Sequence, residues 1–196
     1  MNIKQFSEHL SKDLHAYLKA EGLTDEKFPE CIDVEEKWPS IESAYFPDGA
    51  KEFNQYPLVS LGWSMFIGMA MAKFWDFDWE KYGKETGETL YHSLRDAKGY
   101  DNMDDYILED ILGYDKEQAE KVSEKVGECA ARTLSAMNHS HIESGTSEAV
   151  EAYRVALYRL YLAGMAMELN ALGYHYVPTI TPTDRLMQFA MQNSII

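Results

Sequence analysis

Apolar residues recur at helical spacing along most of the chain. In the first segment, Ile3, Phe6, Leu10, Leu14 and Leu18 follow one another at intervals of three and four residues. This spacing is typical of one face of an amphipathic helix. No run of four to eight residues alternates cleanly between apolar and polar side chains, so the pattern predicts no strand.

Glycine, proline and capping residues mark where the helices begin and end. On this basis we predict helices at 3–21, 58–75, 78–98, 102–112, 116–138, 147–172 and 182–193. Asp115 and Gln118 form a capping-box pattern before the helix at 116–138, and Ser147 is a candidate cap for the next helix. Short connections favour antiparallel neighbours, so we predict an all-α, up-down helical bundle of about five long helices in a single domain, residues 1–196.

Segment 28–57 interrupts this pattern. It holds four of the six prolines and five aromatic residues after Phe28, which are Trp38, Tyr45, Phe46, Phe53 and Tyr56. A structureless loop of this length is uncommon in a compact domain. We predict an irregular insertion that wraps the bundle, with short helical turns after Pro39 and from Asp48. The alternative is a lid or binding loop.

The helix at 58–75 is apolar nearly all round, which predicts the central helix of the bundle. Its uncharged part, 58–72, would extend about 22 Å as a helix, short of the roughly 30 Å of a membrane core. The residues Gly68-Met69-Ala70-Met71 recur as 164–167, 96 residues later. This is either an internal repeat or a coincidence, and in both cases small residues favour close contact between the two helices.

The charge is strongly acidic, with 33 Asp and Glu against 18 Lys and Arg and a net charge of −15. This argues against binding to nucleic-acid backbone or to an anionic membrane. Between residues 99 and 115 there is no Lys or Arg, and five acids there form what we call the acidic stretch: Asp101, Asp104, Asp105, Glu109 and Asp110. It is either a solvated face or a docking patch for a basic partner.

The two cysteines, Cys31 and Cys129, are far apart and form no CxxC pair. The first residues include no apolar segment of the kind found in secretory signals. We therefore expect a reducing, cytoplasmic location.

Motifs for nucleotide, phosphate or zinc binding are missing from the sequence. We expect no metal and no cofactor, and we lean towards a protein that is not an enzyme. We interpret several weaker pairings as surface features: Asp76 with Asp78 and Glu80, Glu88 with His92, His9 with Asp13, and His139 with His141 and Glu143.

Glu168 is a stronger candidate, because a helical wheel places it in line with Leu157 and Tyr161 at the edge of the core. A buried carboxylate needs a partner or takes up a proton. Together with Trp63, Met69 and Tyr161, it forms our candidate ligand-binding set.

Two functional hypotheses follow. The first is a non-enzymatic protein-interaction or self-associating module, in one version an inhibitor or immunity-type protein that covers a basic partner with the acidic stretch. The alternative is a bundle that encloses a small apolar ligand, as a carrier, sensor or enzyme. There Glu168 is the polar anchor and 28–57 the lid.

Overall fold

The computed structural model describes residues 2–176, and this part of the chain is helical without any strand. The all-α prediction is confirmed. The helices are α1 Ile3–Ala20, α2 Ile32–Glu35, α3 Trp38–Phe53, α4 Pro57–Tyr82, α5 Gly87–Ala97, α6 Met103–Asp105, α7 Lys116–His139 and α8 Ser147–Ala171. A 3-10 turn at Tyr100–Asn102 precedes α6, and a π-helical turn at Tyr106–Ile111 follows it. The helix predicted at 182–193 lies outside the described residues.

Helices α4 and α8 form the centre of the bundle and run parallel. Near their beginnings, the Ser60 and Tyr153 hydroxyls lie 2.6 Å apart. Near their ends, the hydroxyl of Tyr174 donates to Asp76 over 2.9 Å. Early residues of α4 thus contact early residues of α8, and late residues contact late ones, so the two helices run parallel.

The outer helices surround this pair. Helix α7 runs antiparallel to α1, because Asp13 pairs with Arg132 and Glu21 pairs with Lys125. Helices α3 and α4, joined by a short turn, are antiparallel, and so are α7 and α8. Helices α5 and α7 both run antiparallel to α4. The segment 98–115 between them, which contains the 3-10 turn, α6 and the π-helical turn, therefore runs parallel to α4 and connects the two ends of the bundle.

The two central helices cross at the recurring glycines. A Cβ atom on Gly68 would overlap the backbone carbonyl of Tyr161, and one on Gly164 would overlap that of Met65. The contact is reciprocal. Gly68 faces Tyr161, three residues before Gly164, and Gly164 faces Met65, three residues before Gly68. The close crossing predicted from the sequence is confirmed, while a shared ancestry of the two segments stays a prediction.

Segment 28–57 is more regular than predicted. Helix α3 covers sixteen of its residues, with Pro39 in the first turn, where no intrahelical N–H bond is lost, and Pro47 inside the helix. The helix persists because Trp38, Ile41 and Tyr45 bury one face against the bundle. The segment predicted to wrap the bundle irregularly is therefore largely a packed helix.

Helix α4 reaches Tyr82, but its backbone is non-helical at Asp78 (φ −161°, ψ 78°), where two helical stretches meet at a kink. Asp78 accepts the Lys81 N–H over 3.1 Å. The predicted break between 75 and 78 is therefore present as a kink, and a second break at 83–86, which was not predicted, separates α4 from α5. At 26 residues α4 is long and apolar enough to span a membrane, but 78% of its most apolar 18-residue stretch is buried inside the fold. Its predicted central position is confirmed.

The helix caps mostly follow the sequence signals. Asp115 and Gln118 form the predicted capping box at the start of α7. Helix α8 is capped by Thr146, whose hydroxyl accepts the Ala149 N–H over 3.1 Å, and not by Ser147 as predicted. Both residue types suit this position, and the extended backbone at Thr146 decides between them.

Candidate functional site

Glu168 is the one acidic or basic residue that is buried within 2–176, with 2% of its surface exposed. It lies near the end of α8. The hydroxyl of Tyr114 donates to its carboxylate over 2.7 Å. The predicted burial of this carboxylate is confirmed, and its hydrogen-bond partner is the phenol of Tyr114.

Burial raises the pKa of Glu168 from 4.5 to about 7. The hydrogen bond from Tyr114 and the positive charge of Lys73 lower the pKa, and the nearby carboxylate of Asp76 raises it. Desolvation is the largest of these effects, because a charged carboxylate loses its water in the core. Glu168 therefore exchanges a proton close to neutral pH.

The residues around Glu168 come from three elements. Asp76 at the end of α4 accepts the Tyr174 hydroxyl, and Trp75 meets the Tyr174 ring edge-on, with ring centres 5.1 Å apart. Tyr114 follows the π-helical turn, where its N–H donates to the Leu108 carbonyl over 3.0 Å. π-helical turns are frequent at functional sites, but the sequence carried no signal for this one or for Tyr114.

The other members of the predicted ligand set do not converge on Glu168. Tyr161 donates to the Val34 carbonyl over 2.8 Å, and its ring lies 4.8 Å from Trp38. Trp63 faces Tyr100, with ring centres 4.3 Å apart, and Met69 is fully buried. None of these four residues lines the end groove described below or the three other grooves that lie around Phe28, Ala131 and Thr24.

The acidic stretch is partly occupied by contacts within the chain. Lys98 forms ion pairs with Glu109 and with Asp110. Asp104 is half-buried, accepts a hydrogen bond from the Trp63 indole, and has its pKa raised mainly by desolvation. Asp101 and Asp105 remain exposed. The stretch thus presents less unpaired charge than its sequence suggests.

A larger apolar feature lies at the end of the bundle where α4 and α8 begin. It is an open groove of about 580 Å³ that we call the end groove. Its apolar lining comprises Phe46, Ala50 and Phe53 of α3, Pro57 of α4, Leu134 and Met137 of α7, Ile142, and Ala149, Val150, Ala152 and Tyr153 of α8.

Exposed apolar side chains extend this feature onto the surface. Within 2–176, seven large apolar residues are exposed, and four of them lie at this end: Tyr56, Leu58, Val59 and Val150. Val150 lines the end groove. Tyr56, Leu58 and Val59 do not line it but lie within two residues of Pro57, which does. Single exposed apolar residues are ordinary, but a contiguous patch marks a binding surface.

Acidic residues flank the residues around the start of α8 that line the end groove, and we call them its rim. They are Glu143, Glu148 and Glu151, and all three are exposed. No ion pair in the described part of the chain joins them to a Lys or Arg. Arg154, three residues after Glu151, is already paired with Glu42 over 2.6 Å.

The weaker chemical candidates stay apart. No group of three His, Cys, Asp or Glu side chains within 2–176 is placed to hold a metal ion. Burial raises the pKa of the Cys129 thiol to about 12, which makes it a poor nucleophile.

Comparison of the chain with models of known protein families, with curated proteins and with solved structures finds no match. Function is therefore inferred from the side chains themselves.

Proposed function

We propose that this protein is a non-enzymatic binding module that holds a basic partner protein at the end groove. One observation supports the proposal: the exposed Val150 lies in a largely apolar groove, three more exposed apolar residues flank Pro57 beside it, and unpaired acids flank its α8 residues. Buried apolar anchors inside a polar rim are the usual anatomy of a protein interface.

The charge favours a basic partner over a second copy of the chain. A symmetric dimer formed through this end would bring two sets of Glu143, Glu148 and Glu151 together, and like charges facing each other oppose association. A partner with Lys and Arg around its apolar anchors would instead gain from the same acids. The net charge of −15 would also speed the approach of such a partner.

The end groove replaces the acidic stretch as the main contact in this proposal. Lys98 already pairs with two of the five acids of that stretch, and Asp104 is turned towards Trp63. The remaining exposed acids, Asp101 and Asp105, contribute long-range attraction. A cytoplasmic location belongs to the same proposal and is supported by Cys31 and Cys129, which are buried and unpaired.

A second candidate is binding of a small apolar ligand. The volume of the end groove lies within the range of about 300–1,000 Å³ that is typical of small-molecule pockets. In this case the ligand would occupy the end groove and not the surroundings of Glu168. The open, acid-rimmed shape of the groove favours the protein partner.

Retention of proteins from a cell lysate on the immobilised chain tests the proposal. We compare wild type with Leu58→Gln/Val150→Gln, which removes two apolar contacts without changing charge. Phe77→Gln is the matched control, since Phe77 is 74% exposed at the other end of α4. We expect a basic protein that wild type and the control retain and the double variant does not. Its retention should fall as salt rises from about 0.05 to about 0.5 M.

A further pair of variants isolates the role of charge. Glu148→Gln/Glu151→Gln should weaken retention and its salt dependence, whereas Glu120→Gln/Glu124→Gln, at exposed positions on α7, should leave both unchanged. Retention of the same proteins by every variant, or of a second copy of the chain, would overturn the proposal. An apolar small molecule that binds wild type and not Leu58→Gln/Val150→Gln would favour the second candidate.

A further inference from the structure

The end groove lies where the bundle lacks a helix. Helices α4 and α8 cross at Gly68 and Gly164, which are 96 residues apart in the sequence. Because the two helices run parallel, the same offset places Tyr153 of α8 beside Pro57, the first residue of α4. Helix α8 begins six residues earlier, at Ser147, and therefore projects about 9 Å beyond the start of α4. Pro57 is the α4 residue that lines the groove. The space beyond it lacks the central helix that fills the rest of the bundle.

The walls of this space are helix faces with the spacing that receives another helix. Phe46, Ala50 and Phe53 lie at positions i, i+4 and i+7 on α3. Leu134 and Met137 lie at i and i+3 on α7. Such rows form the ridges into which the side chains of a neighbouring helix interlock. Tyr153 of α8 covers part of the α3 row, since its ring packs against Phe46 and Phe53. The part of both rows that lines the end groove remains half-buried and open.

The groove has no sheet edge for an extended strand to join, although Asn54, Asn138 and Thr146 are among its polar lining residues. Strand addition needs an exposed sheet edge, which offers backbone donors and acceptors, and the described chain is entirely helical. Helix-in-groove binding instead uses apolar anchors spaced at i, i+3 or i+4, and i+7. The geometry of the three walls matches that mode.

We infer that the end groove binds an amphipathic helix of the partner, with apolar anchors on its inner face and Lys or Arg on its outer face. This inference rests on the proposed function and names the form that the partner takes. The anchors fill the space beyond Pro57, between α3 and α7. The basic residues face Glu143, Glu148 and Glu151 at the rim, and the helix completes the apolar core at this end.

Synthetic peptides test the inference. The probe is a fluorescein-labelled peptide of about 18 residues, long enough for five turns, with Leu and Phe at helical spacing and Lys elsewhere. A scrambled peptide of the same composition has no apolar face, and a third peptide replaces Lys by Glu. We expect the amphipathic basic peptide to bind the full chain at least about tenfold more tightly than either control, the typical effect of a buried anchor.

Two further readouts locate the bound peptide. Val150→Gln should weaken binding by about tenfold or more, and Phe77→Gln should leave it unchanged. With ¹³C-methyl methionine labelling, the signal of Met137, which lines the groove, should shift on binding. The signal of Met71, which is buried in the second half of α4, should stay in place.

The possible results separate this inference from the proposed function. Equal binding of the amphipathic and scrambled peptides, or an unchanged Met137 signal, would contradict the inference that the partner binds the end groove as a helix. A basic partner retained through Leu58 and Val150 would still support the function in that case. If no peptide binds and no variant-sensitive partner is retained, both are wrong.

Discussion

Gly164→Ala is expected to destabilise the protein by about 3 kcal/mol, the upper end of the range for overpacked cores. The new methyl group would overlap the backbone carbonyl of Met65. A backbone atom inside a central helix cannot turn aside as a flexible side chain can. Helices α4 and α8 would have to separate, and packing would be lost along their whole contact.

Denaturant unfolding followed by helical circular dichroism measures this loss. Gly68→Ala should behave alike, because its methyl group would overlap the carbonyl of Tyr161. The double variant should lose less than the sum of the two, since the first substitution already separates the helices.

Gly127 provides a matched control on α7. It lies in a helix interior, and no atom is found within 4 Å of an added Cβ. Gly127→Ala should therefore stabilise the protein by up to about 1 kcal/mol through helix propensity alone. If Gly164→Ala costs less than about 1 kcal/mol, the close crossing of the central helices is wrong.

Glu168→Gln is expected to make the protein more stable at neutral and higher pH. The pKa of Glu168 is raised from 4.5 to about 7 in the fold, so the folded state binds the proton more tightly than the unfolded state does. The resulting stabilisation is fully present below the unfolded value near 4.5 and is lost as pH rises through about 7. The full effect is about 3 kcal/mol, because a tenfold change in proton affinity corresponds to about 1.36 kcal/mol.

Glutamine imitates the protonated carboxyl and does not titrate. The unfolding free energy of Glu168→Gln minus that of wild type should therefore increase by about 3 kcal/mol between about pH 4.5 and about pH 7.5. Glu8→Gln, at an exposed position on α1, is the control and should show no such increase.

A third variant tests how much the hydrogen bond from Tyr114 contributes to the pKa of Glu168. Tyr114→Phe removes the hydrogen bond that lowers the Glu168 pKa, so the pH at which stability is lost should move upward. A pH-independent difference between Glu168→Gln and wild type would contradict the buried, proton-exchanging carboxylate.

Much of the fold could be predicted from the sequence because helical periodicity and capping residues act locally. The bounds of α1 and α7 follow from apolar spacing and from the Asp115 capping box. Helix α3 is longer than the two short turns predicted after Pro39 and from Asp48, because its buried face outweighs its two prolines. The spacing of Trp38, Ile41, Tyr45 and Gly49 carried that signal.

The candidate sites were less predictable because they depend on contacts between distant segments. The wheel position of Glu168 predicted its burial, but its partner Tyr114 follows a π-helical turn that no sequence pattern marks. The contact between Trp63 and the acidic stretch likewise depends on how 98–115 packs against α4.

The end groove had a partial signal in the sequence. The recurring residues at 68–71 and 164–167 are 96 residues apart, whereas the predicted starts of the two helices, 58 and 147, are 89 residues apart. This difference was the signal that α8 extends further than α4 at this end. The position of α3 as a wall of the end groove required the structure.

Photo-crosslinking at the two ends of α4 tests the central claim most directly. The photoreactive residue p-benzoylphenylalanine replaces either Leu58, next to Pro57 of the end groove, or Phe77, at the far end, in the cells that make the protein. The proposal predicts a discrete adduct with a basic protein from position 58, none from position 77, and loss of the adduct when Val150→Gln is added. An equal adduct from position 77, or none from position 58, would contradict it.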